Sequence, residues 1–134
     1  MSSIECDEFV PHPPAAVWRA LTDPDLLARW WAPGDVRAVV GHEFGLDMGP
    51  WGEQRCRVLA VEEERLLRYT YGEGGLDTTI TWRLVPEGTG TRVLLVHEGF
   101  DLDTPLGRQA RDGMGHGWPT VLGRLGPVLS ALDA

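Results

Sequence analysis

The chain has 134 residues, room for one domain whose core needs no disulfide or metal staple, since a chain near this length hides roughly 70% of its unfolded surface. Hydrophobic and charged fractions of 43% and 24% are ordinary for a globular protein and exclude disordered, collagen-like and coiled-coil classes. The net charge of −8 repels phosphate backbones and anionic membranes, so nucleic acid is not an expected partner, and all 12 basic residues are Arg, which excludes lysine Schiff-base chemistry.

In chain order, "IECDEFV" alternates and predicts a first strand with Ile4, Cys6, Glu8 and Val10 on one face and Glu5, Asp7 and Phe9 on the other. A carboxylate on an inward face is costly, so Glu8 marks either an ion pair, with Arg55, Arg57, Arg68 or Arg83, or the wet part of a pocket. Pro11, Pro13 and Pro14 stop the strand, and "AAVWRALT" continues as a short helix. Asp23 and Pro24 form an N-cap and first-turn proline for a second, "DLLARWWA", which ends before Pro33 and Gly34.

Four extended runs follow: Val36 to Val40, Glu43 to Met48, Gln54 to Val61 and Leu66 to Tyr71. "DTTITWRLVP" and "TRVLLVHEGF" predict a long hairpin turning at "EGTG", with Ile80, Trp82, Leu84, Val93, Leu95 and His97 on one face. Residues 101–117, rich in Gly, read as a polar loop that could act as a lid carrying Asp112 and His116. Trp118, Leu122, Leu125, Leu129 and Leu132 then recur at helical spacing. Pro127 with Gly123 and Gly126 predicts a kink in one continuous helix. Short turns between strands demand an antiparallel sheet, and one apolar helix face covers its concave side, giving a single α+β domain over 1–134.

Cys6 and Cys56 show no metal-type spacing to His12, His42, His97 or His116 and are expected as buried free thiols. The sequence carries neither a secretory leader pattern nor an apolar run approaching the ~18 residues of a membrane span, so a cytoplasmic protein without membrane insertion is expected.

The segment "PPAAVWRALTDPDLLARWWAP", followed by "TRVLLVHEGF" and "GHGW", resembles the START-like (SRPBCC) superfamily, most closely the family named for the activator of the heat-shock-protein ATPase, in its bacterial single-domain form. The resemblance covers nearly the whole chain. It implies a helix-grip fold: a curved antiparallel sheet, two short helices after the first strand, and a long C-terminal helix over a deep cavity that the superfamily uses for lipids, hormones, polyketides and other hydrophobic molecules.

Within that frame the expected ligand-binding residues are Glu8, Phe44, Met48, Tyr69, Tyr71, Trp82, His97, Phe100, Met114 and Trp118, with no catalytic residue or metal ligand assigned and no cofactor. Five of the Trp residues, Trp30, Trp31, Trp51, Trp82 and Trp118, fall at the cavity or its rim, where indoles supply area and an N–H handle. Tyr69 and Tyr71 share a face toward the cavity. His97 reads either as a neutral hydrogen-bonding group at the cavity end or as a satisfied core histidine. No nucleophile elbow, zinc-binding, P-loop or dinucleotide motif is present. Three readings follow: binding of a small hydrophobic or amphipathic ligand, a cyclase, dehydratase or hydrolase using Glu8 with His97 and Tyr69, and a co-chaperone-like interaction module. A homodimer stays open.

Overall fold

The computed structural model describes residues 3–132. Strand β1 (Ile4–Val10) alternates as its side chains demand, burying Ile4 and Val10 and exposing Glu5, Asp7 and Phe9. Helix α1 (Pro14–Thr22) starts on a proline and buries Val17, Trp18 and Leu21. Helix α2 (Pro24–Trp30) is capped by Asp23, whose carboxylate accepts from the Asp25 amide at 2.9 Å. The Trp30 indole donates to the Ala20 carbonyl at 2.9 Å, which pins α2 against α1.

The sheet continues with β2 (Glu43–Asp47), β3 (Glu53–Glu62), β4 (Leu66–Tyr71), β5 (Thr78–Glu87) and β6 (Gly90–Glu98). It is a six-stranded antiparallel sheet in the order β1-β6-β5-β4-β3-β2, open and curved. The β5–β6 hairpin turns on Gly88 at φ +59°, and its register sets Ile80 opposite His97, Trp82 opposite Leu95 and Leu84 opposite Val93. All six side chains are buried, so the alternation read from the sequence sets which face meets the core.

Two segments differ from expectation. Val36 to Val40 is not a strand: only Gly34 bridges to Leu46, and Val39 and Val40 are 60% and 62% exposed. The outer edge of β2 takes only that one bridge, because the chain turns at 39–42, where the His42 amide donates to the Val39 carbonyl at 3.0 Å and the Gly41 amide to the Val58 carbonyl at 2.8 Å.

The second difference lies near the C-terminus. Residues 105–117 are helical, within α3 (Pro105–Leu122), and the chain then breaks before α4 (Leu125–Leu132) instead of kinking through one helix. Thr104 caps α3 by accepting from the Gly107 amide at 3.0 Å, with Pro105 in the first turn. Pro127 falls in the first turn of α4, where its missing N–H has no partner to lose. It therefore begins a helix rather than bending one.

Candidate ligand cavity

The long helix α3 lies over the sheet with Ala110, Met114, Trp118 and Val121 at helical spacing along one side of a cavity of about 510 Å³. Tyr71 at the end of β4, Leu76 in the following loop, Trp31 just after α2, and Met48 and Trp51 between β2 and β3 complete the wall. Two glycines of α3, Gly113 and Gly117, one turn apart, also face it, and a Cβ on either meets open space. The volume is partly a product of those missing side chains.

The inner wall is aromatic. Trp31 stacks on Tyr71 with centroids 6.2 Å apart and planes at 21°, and lies 5.0 Å from Trp118. Behind them Trp82 meets Trp118 edge-on at 5.6 Å and donates its indole N–H to the Tyr69 hydroxyl at 2.9 Å. Edge-to-face contacts of this kind contribute beyond the area they bury.

His97 is held in a single protonation state by its neighbours. The Trp118 indole, which can only donate, gives its N–H to Nδ1 at 3.1 Å, so the ring proton sits on Nε2. Nε2–H then donates to the Thr78 hydroxyl at 2.8 Å, which in turn donates to the Tyr71 carbonyl at 2.9 Å. Burial lowers the imidazole pKa to about 3. His97 is thus a neutral strut between α3 and the sheet, with no lone pair left to take a proton from a ligand.

Polar groups at the cavity are few and uncharged. The Tyr71 hydroxyl has no hydrogen-bond partner among the described residues, and burial pushes its pKa up. Gln54 donates to the Trp51 carbonyl at 3.2 Å, and Gln109 on α3 makes no side-chain hydrogen bond among the described residues. No group of three His, Cys, Asp or Glu able to hold a metal ion occurs among the described residues.

Of the residues singled out from the sequence, Met48, Tyr71, Met114 and Trp118 line the cavity. Phe44, Tyr69, Trp82, His97 and Phe100 are buried in the layer behind it, joined by ring contacts such as Phe44–Tyr69 at 5.4 Å and His97–Phe100 at 4.6 Å. Glu8 is elsewhere. Ile4 is the β1 residue opposite His97, and Glu8 lies four residues further along, about 13 Å away at strand rise.

Glu8 is half-buried and makes no ion pair with the arginines expected to meet it: Arg57 pairs with Glu73 at 2.9 Å, Arg55 with Glu53 at 3.7 Å, and Arg68 and Arg83 are exposed. The sheet order explains this, because the strands that carry these arginines, β5, β4 and β3, lie one, two and three strands beyond β6, the neighbour of β1, and none of them pairs with β1.

The sequence reading left Leu76, Leu106, Ala110 and Val121 unassigned. The signal was there, since "DTP" is a cap followed by a first-turn proline and Leu106, Ala110, Met114, Trp118 and Val121 continue at helical spacing. Four glycines in between obscured it.

A sheet of this order, two short helices after its first strand and a long helix enclosing a cavity define a helix-grip domain of the START-like class. The chain belongs to the family described as "Activator of Hsp90 ATPase homolog 1-like protein", whose model matches residues 11–130. It is similar to the crystal structure of protein MLL2253 from Mesorhizobium loti, at 33% identity and TM-score 0.89 over 98% of this chain and 99% of that one. CalU16 from Micromonospora echinospora is 30% identical, with TM-score 0.76 over 96% of this chain and 76% of that one. The Aha1 dimer from Colwellia psychrerythraea, at 19% identity and TM-score 0.81 over 96% of each chain, shares the fold. No curated protein matches the sequence. Among the described residues no helix is long and apolar enough to cross a membrane.

Proposed function

We propose that the cavity between the sheet and α3 binds a small hydrophobic or amphipathic molecule. The observation that carries this reading is a space of about 510 Å³, within the usual range for ligand sites, walled by Trp31, Leu76, Met114 and Trp118 and containing a Tyr71 hydroxyl with no protein partner among the described residues. A core without a ligand role would fill such a space, and the hydroxyl, open to the cavity, is available to a ligand. Trp51 and Leu106, 74% and 58% exposed at the rim, offer an incoming apolar molecule its first contacts.

Binding is favoured over acid–base chemistry. Glu8, His97 and Tyr69 do not converge on the cavity: both nitrogens of His97 are engaged, Tyr69 accepts from Trp82, and Glu8 is about 13 Å along the strand. The co-chaperone reading rests on the family's description and the acidic net charge of −8.

A thermal-shift screen of uncharged aromatic and aliphatic compounds tests the proposal, a ligand at 100 times its Kd adding about 2.7 kcal/mol of stability. Tyr71→Phe should weaken a hit by roughly tenfold while leaving the free protein's stability intact. Gly113→Phe should fill the space and abolish binding in a protein that still folds. A hit that binds Gly113→Phe unchanged, or a screen silent in every class, would sink the reading.

A further inference from the structure

We infer that the cavity is matched to an electroneutral, flat aromatic ligand and rejects the carboxylate of the same skeleton, an inference that rests on the ligand-binding reading above. The chain carries 12 basic and 20 acidic residues, yet among the described residues no Asp, Glu, Arg or His lines the cavity. The bases of β3 and α3 are committed elsewhere. Arg57 on β3 is paired with Glu73 at 2.9 Å, Arg108 on α3 donates to the Leu102 carbonyl at 2.8 Å, and Arg111 donates to the Ser3 carbonyl at 3.3 Å on the β1 side. Arg68 on β4 alternates with inward Tyr69 and points away, exposed.

Backbone dipoles do not substitute for a cation. The N-terminus of α3 offers few free amides, because Pro105 has none and the Thr104 hydroxyl takes the Gly107 amide at 3.0 Å. A carboxylate entering this space would exchange water for indole and thioether surfaces with no counter-charge, under the field of a protein of net charge −8. What the wall does offer is neutral: the Tyr71 hydroxyl, the Gln54 and Gln109 amides, and the indoles of Trp31 and Trp118, which pack together at 5.0 Å with their planes tilted by 51°. That set fits ketone, amide or hydroxyl substituents on a planar ring.

The test is calorimetric titration with matched pairs, 2-naphthamide against 2-naphthoate and decanamide against decanoate, on the wild type, Gln109→Arg and Gly113→Phe. The wild type should bind 2-naphthamide at least about 30-fold more tightly than 2-naphthoate, and more tightly than decanamide. Gln109→Arg, which puts a cation on the exposed mouth of the cavity, should improve 2-naphthoate binding by about tenfold or more, and Gly113→Phe should bind neither naphthyl compound. Equal affinity for amide and acid overturns electroneutral selection while leaving the ligand site standing; preference for the decyl pair overturns the aromatic assignment. Absence of binding by all four compounds overturns the ligand reading and this inference with it.

Discussion

The Trp118 indole donates to Nδ1 of His97 at 3.1 Å, and this contact fixes both the tautomer of the imidazole and the orientation of the indole on the cavity wall. Because the folded-state pKa of His97 is lowered to about 3 from an ordinary 6.5, the unfolded chain takes up the proton first as pH falls. Its contribution is therefore fully present above about pH 6.5 and lost between there and about pH 3, by up to about 1.4 kcal/mol per unit. Denaturation curves of the wild type and His97→Gln from pH 7.5 to 4 should show a stability difference that shrinks on acidification. A difference independent of pH would contradict the neutral strut.

Trp118→Phe keeps most of the apolar area but removes the donor, leaving Nδ1 of His97 buried without a partner. A loss of about 1–3 kcal/mol is expected, read as a lower urea midpoint at unchanged slope. The Trp82→Phe change, which removes the 2.9 Å bond to the Tyr69 hydroxyl, should fall in the same range.

The glycines of α3 divide into two kinds. At Gly113 and Gly117 a Cβ meets open space, so Ala at either should stabilise the helix by about 0.5–1 kcal/mol. A Cβ at Gly107 would overlap the Asp101 carbonyl, and Gly107→Ala should destabilise. Equilibrium unfolding of the three variants checks the contrast in sign.

Glu8→Gln should leave stability within about 0.5 kcal/mol of wild type, because the half-buried side chain has no ion pair among the described residues. It should also leave the Kd of any cavity ligand unchanged, as titration of the variant would show. A large change in either would mean that the carboxylate reaches a partner.

Cys56 is 1% exposed and its thiol is pushed up to about 12, chiefly by burial and then by the charge of Glu73. Thiol titration at pH 8 should leave Cys56 unmodified in the native protein and count both cysteines after denaturation. Rapid native labelling of Cys56 would show that β3 opens readily.

The sheet was legible wherever period-two alternation ran into a turn residue, as in the hairpin that sets Trp82 opposite Leu95. Val36 to Val40 misled because β-propensity does not say whether an edge is free to pair. The start of α3 was hidden by glycines, which lower helix propensity, yet those at 113 and 117 leave room in the cavity wall. Alternation correctly put Tyr69, Tyr71 and His97 on the inner face, but not which of them reaches open space. That depends on how far the indoles of Trp82 and Trp118 extend between them. Glu8 could not be located from local pattern at all, since its distance from the cavity is set by the register of β1 on β6.

Strand β1 pairs with β6, placing Ile4 against His97 and Val10 against Thr91, so β1 is synthesised well before the strand it pairs with. At ordinary rates of synthesis the roughly 80 residues between them take about 4–16 s, during which β1 has no ladder to join. Even in the finished sheet it remains at an edge. An apolar strand left open for that long would template association with other nascent chains. The acidic side chains of Glu5, Asp7 and Glu8, three of its seven residues, make such pairing repulsive. Glu8 thereby acquires a physical rationale away from the cavity, as a guard against aggregation during the slow, non-local closure of the sheet.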